Sequence, residues 1–189
     1  MKNKTEFSNV TKQYLTCFQS ILDEMIQGMT SAELSDSISH NFIVQMIPHH
    51  RAAIAMSQNL LRYTTDIPLQ NIALNIIEEQ TKSICNMQEI LCRCSGDCNT
   101  RQGLQTYQAN VCDIMQNMFC DMKEACTSNN INISFMNEMI PHHQGAIQMS
   151  QNALCFPICP SLKPILEAII TSQRRGVCEM EQLLSCMRG

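Results

Sequence analysis

The chain has 189 residues with 13 Lys+Arg against 17 Asp+Glu, a net charge of −4, and 12 Cys with 14 Met but no Trp. The basic residues form no run, which excludes an electrostatic footprint for nucleic acid and a polybasic membrane anchor. No segment approaches the ~18 consecutive apolar residues that span a bilayer, and a chain of this length buries one core or at most two small ones, so nothing asks for a multidomain enzyme and one compact bundle is the expectation.

The start, Met1 to Phe18, has basic residues with no apolar stretch behind them, and reads as a cytoplasmic chain without an export signal. Phe7, Val10, Tyr14, Phe18, Ile21, Met25 and Met29 then recur at three- and four-residue steps, the period of an amphipathic helix. Gly28 and the serine-rich SAELSDS mark its end. A second stripe runs Phe42, Met46, His49, Ala53, Met56, Leu60 with Pro48 inside it. Proline there either kinks the helix by removing a backbone hydrogen bond or opens a new helix at its first turn. After a breaker at Asp66 to Pro68, a third stripe runs Leu69, Ala73, Ile76, Gln80, Ile84, Met87, Leu91. SGDCNTRQG, residues 95–103, reads as the linker between a first helical repeat, 1–94, and a second, 104–189.

The second repeat is legible because the chain matches itself at an offset of 93 residues. MIPHHRAAIAMSQN from Met46 returns as MIPHHQGAIQMSQN from Met139, identical at 11 of 14 positions. Tyr107, Val111, Ile114, Met118 and Met122 repeat the first stripe. Phe135, Met139, His142, Ala146 and Met149 repeat the second, with Pro141 inside it, and Leu162, Leu166, Ile169, Gln173, Val177, Met180 and Leu184 repeat the third. The expectation is an all-α, four-helix-bundle core of about six helices in one domain, in which equivalent hairpins pack around a pseudo-twofold axis. The first helix of each half could also exchange between halves.

At about 100° per residue, Met46, His49, His50, Ala53 and Met56 share roughly a third of the helix circumference, the apolar third. Met25, Met29 and Met87 lie in the other stripes. Two histidines and five methionines per half thus recur as Met118, Met122, Met139, His142, His143, Met149 and Met180, and ten of the thirteen methionines after Met1 belong to this set. Neutral thioethers with imidazoles suit a soft ion of low charge, Cu(I) or Ag(I), whereas higher-charge ions recruit carboxylates or thiolates. No repeated carboxylate accompanies the histidines: position 45 is Gln and its copy is Glu138. Gln80 and Gln173 stand in an apolar stripe, where a buried amide needs partners; each either orients an imidazole or bridges backbone carbonyls freed by the proline. Methionine at helical spacing is also ordinary core filling and an inward histidine an ordinary hydrogen-bonded core residue.

The cysteines match only in part. Cys85 pairs with Cys178 at the offset, Cys17 and Cys92 nearly find counterparts, and Cys94, Cys98, Cys120, Cys126, Cys155 and Cys159 belong to one half each. Thiolate chelation by CRCSGDC and disulfides across helix ends are both open to it.

Two copies of Phe-x-x-x-Met-Ile-Pro-His-His-x-x-Ala-Ile-x-Met resemble the bacterial family called domain of unknown function 305, and the resemblance covers nearly the whole chain. It implies a ferritin-like helical bundle and copper binding or copper tolerance in the cell envelope, with Met46, His49, His50, Met56, Met139, His142, His143 and Met149 as the positions to carry over. Where that family commonly has acidic residues this chain has Ser39, Asn132, Ser83 and Gly176, and the family's Trp is missing.

The function expected is non-enzymatic binding of Cu(I), or Ag(I), for storage, buffering or handover, with the metal and a copper donor or acceptor protein as partners. No acid/base pair, activated nucleophile or phosphate loop points to catalysis. The rival readings are a redox enzyme with His-ligated copper or iron, a thiolate copper store, and a structural bundle in which Met and His only pack.

Overall fold

A computed structural model describes residues 6–125 and 127–188; Cys126 lies outside the described residues. Six helices follow one another: α1 Asn9–Thr30, α2 Ile38–Leu61, α3 Ile67–Cys94, α4 Arg101–Glu124, α5 Ile131–Leu154 and α6 Lys163–Arg188. The first five start on a side chain that accepts a backbone N–H left free in the first turn: Ser8, Ser37, Asp66, Thr100 and Asn130. The fold is an all-α bundle, and no helix among the described residues is long and apolar enough to cross a membrane.

Each half is a three-helix unit in which α1 packs on α2 and α2 on α3, repeated as α4 on α5 and α5 on α6. The halves meet through equivalent helices, α2 against α5 and α3 against α6, so each inner helix packs on its own repeat. α1 and α4 flank this inner four-helix core, and neither exchanges halves. One continuous hydrophobic cluster runs through all six helices.

Four local expectations change. Gly28 does not stop α1, which continues to Thr30; it marks the place where α1 crosses α2, since a Cβ at Gly28 would stand 2.8 Å from the Pro48 Cβ. Val10, expected inside, is 51% exposed, and Thr11 is buried in its place. The buried phase runs through Leu22 and Met115 rather than Ile21 and Ile114, which are only partly covered. α4 begins at Arg101, inside the segment expected as linker. Pro48 and Pro141 lie within α2 and α5, and both helices run on past them.

Candidate metal centre

All fourteen side chains singled out by the repeat are buried: the ten methionines and the four histidines each expose 3% or less. Successive residues on a helix point about 100° apart, so the two histidines of each pair serve different interfaces. His49 faces its repeat: its ring lies 3.7 Å from that of His142, centroid to centroid, at 30°. His50 turns to α3, where its Nε2 and Ser83 Oγ are 3.1 Å apart. Within each pair the rings are 5.9 Å apart at 53°, the same in both halves.

This cluster is short of hydrogen-bond partners. His142 Nε2 donates to the His49 carbonyl at 3.2 Å, which fixes its tautomer and leaves Nδ1 as a bare lone pair. That nitrogen has no partner, nor do Nδ1 of His50 and His143, nor either nitrogen of His49. Burial holds all four imidazoles in the neutral form. It lowers His50 to about 3 and His142 to about 4, and drives His49 and His143 well below the ordinary range, with the neighbouring histidines adding to the effect on His49, His50 and His143. Neutral imidazole is the form that ligates a metal.

The methionines divide by interface. Met25 and Met29 flank Gly28 on the face α1 turns to α2, and Met118 lies directly over Gly145 in the α4–α5 layer, where a Cβ would overlap its sulfur. Met46, Met56, Met139 and Met149 come from the histidine-bearing helices, and Met87 and Met180 from α3 and α6. Among the described residues no three His, Cys, Asp or Glu side chains converge where they could hold a metal ion.

Two residues that sequence reasoning set aside belong to this core. Glu138, one helical turn before His142, is 1% exposed and accepts a 2.7 Å hydrogen bond from the Tyr14 hydroxyl across the halves. Burial pushes its carboxyl up to about 8 against the lowering effect of that bond, so it is uncharged at pH 7, and burial raises Tyr14 as well. In the other half the repeat positions are Gln45 and Tyr107. Gln45 Nε2 donates instead to the Met29 carbonyl at 3.4 Å, while the Tyr107 hydroxyl and Gln45 Oε1 have no partner. The spacing of Tyr14, Tyr107, Gln45 and Glu138 at the repeat offset was the signal available.

Gln80 fulfils neither expected role. His50 takes Ser83 as its partner, and both polar atoms of the Gln80 amide are buried without one, as is Oε1 of Gln173. Ser39 accepts the Cys159 amide at 2.8 Å. That cysteine is joined to Cys94 in a disulfide with Cα atoms 5.4 Å apart, which ties the end of α3 to the turn before α6 and so bridges the halves. The other described cysteines are free; Cys17 is half-buried and Cys85, Cys92, Cys98, Cys112, Cys120, Cys155, Cys178 and Cys186 are exposed, whereas the four histidines are buried.

No curated protein matches the chain. The crystal structure of a DUF305 fragment from Deinococcus radiodurans is similar in fold, with a TM-score of 0.56 at 21% identity over 78% of this chain and 95% of that one. The family model named Domain of unknown function (DUF305) matches residues 18–91 and again 39–184, two overlapping stretches that take in both Met-Ile-Pro-His-His blocks. The chain therefore belongs to the DUF305 family.

Proposed function

We propose that this protein binds a soft monovalent metal ion, Cu(I) or Ag(I), through the methionines and histidines of its core, and serves to store, buffer or hand over that ion. The observation that carries the reading is the five unpartnered ring nitrogens inside a core that also buries ten repeated methionines. Each orphaned buried polar atom costs about 1–3 kcal/mol. A core selected for packing alone would be more stable with apolar residues there, whereas a ligated ion satisfies the lone pairs.

The charge balance favours a monovalent ion. Thioethers and imidazoles are neutral, and Glu138, the one buried carboxyl among the described residues, is held protonated by burial, so no buried anion offsets a dication in a low-dielectric interior. The packing-only reading has its own support in the close stacking of His49 on His142 and in the absence of three converging His, Cys, Asp or Glu ligands among the described residues.

An anaerobic Cu(I) titration against a chromophoric chelator separates these, using protein whose free cysteines are alkylated and a His49/His50/His142/His143→Ala variant shown by circular dichroism to be helical. Uptake by wild type that the variant loses supports the Met/His site. Uptake that vanishes on alkylation assigns the copper to exposed thiolates, and no uptake by the unalkylated protein leaves the methionines as core packing.

A further inference from the structure

The repeat places two equivalent openings over the histidine cluster, between α3 and α6, and the sequence has made them unequal. The first is a pocket of about 420 Å³ with His50, Gln80 and Gln173 at its floor and Ile165, Ala168 and Asn86 among its walls. The second, related by the 93-residue offset, is lined by Ile72, Asn75, His143, Arg175, Gly176 and Glu179 and holds about 10 Å³. The differences lie at matched positions. Arg175 forms ion pairs with Glu79 from α3 and with Glu179 at 4.0 Å, closing the second opening; the counterparts Lys82, Ser172 and Asn86 make no such bridge across the first. Where Ser83 bonds His50, Gly176 lets the His143 ring approach so closely that a Cβ would stand 2.9 Å from its Cδ2. One mouth is open above a histidine and the other is filled by one.

The floor of the open mouth carries unsatisfied polar atoms. Both ends of the Gln80 amide and Oε1 of Gln173 have no partner, and these residues are 2% and 3% exposed. An apolar pocket with a few convergent polar groups is the usual form of a ligand site. We propose that this pocket is the single port through which the soft ion enters and leaves, with His50 the first protein ligand to reach it and the Gln80 and Gln173 amides holding the polar part of the carrier that brings it. The inference rests on the metal-binding reading above. The step is a ligand exchange with no change of oxidation state: an imidazole lone pair attaches to the ion as one donor atom of the carrier leaves, and the ion then passes inward.

The repeat supplies its own control. Ala168 lines the open mouth and its counterpart Asn75 lines the closed one; both are exposed, so tryptophan at either position is accommodated at the surface. Stopped-flow transfer of Cu(I) from a chromophoric chelate to the metal-free, cysteine-alkylated protein is compared for wild type, Ala168→Trp and Asn75→Trp, with Asn86→Trp as a second plug from the opposite wall. The expected result is at least tenfold slower uptake in Ala168→Trp and Asn86→Trp with the final amount unchanged, and a wild-type rate in Asn75→Trp. A rate within twofold of wild type in both open-mouth plugs, or equal slowing by Asn75→Trp, overturns the port and leaves the metal site standing. Wild type that takes up no Cu(I) removes the metal reading and the port together.

Discussion

Acidification of the metal-free protein tests the electrostatics of the core most directly. His50 and His142 titrate at about 3 and 4 in the fold against an ordinary 6.5, and His49 and His143 lie lower than the ordinary value for the same reason, burial. A group with a depressed folded pKa gives its full stability above the unfolded pKa and loses it as pH falls toward the folded value, because only the unfolded chain takes the proton. Between pH 7 and pH 5 that loss is about 2 kcal/mol for each of His50 and His142, roughly 4 kcal/mol for the two, and His49 and His143 add to it in the same direction. Glu138 has the opposite sign. Its folded value is raised to about 8 from 4.5, so its penalty at pH 7 is relieved on acidification by about 3 kcal/mol. His50 and His142 together outweigh Glu138 by about 1 kcal/mol, and His49 and His143 enlarge that net loss, against a total stability of about 5–15 kcal/mol for a domain. Urea unfolding followed by circular dichroism at pH 7, 6 and 5 should therefore show the midpoint falling by about 0.5 M or more, and Glu138→Gln, which removes the compensating group, should steepen the fall. A midpoint that stays level or rises between pH 7 and 5 would refute the claim that these imidazoles are buried and neutral.

The two tyrosines give a matched pair: Tyr14→Phe strips Glu138 of its buried donor and should cost about 1–3 kcal/mol, whereas Tyr107→Phe removes a hydroxyl that has no partner and should be neutral or stabilising in the same urea assay. Opening the Cys94–Cys159 bridge, which spans 65 residues, should cost about 4 kcal/mol by the loop-entropy estimate; reductant should lower the thermal midpoint of wild type and leave a Cys94→Ser/Cys159→Ser protein unchanged.

Much of the architecture is legible in the chain because duplication presents the same pattern twice. Six helices, their pairing and the burial of all fourteen Met and His side chains follow from stripes that repeat at one offset. The phase of the first stripe did not follow. Ile21 and Leu22 are equally apolar and differ by one 100° step, and which of them faces inward depends on how α1 docks on α2, a tertiary contact that periodicity does not encode. The Cys94–Cys159 bridge was hidden for the converse reason: neither cysteine has a repeat counterpart, and the pairing depends on where two loops end.

The differences between halves carry information that the search for likeness passes over. Glu138 stands opposite Gln45, and this single change gives one tyrosine a partner and leaves the other without. Arg175 stands opposite Lys82 and Gly176 opposite Ser83, and these changes close one mouth and leave the other open. Ten buried methionines and four histidines are matched residue for residue, and the second half buries two more, Met115 and Met136, where the first has Leu22 and Ile43. What has diverged is the hydrogen bonding around those donors and the route to them from outside. If the interior serves one ion species, twofold ligand chemistry with one-sided access separates how tightly the ion is held, set by both halves, from how fast it exchanges, set by the α3–α6 mouth over His50.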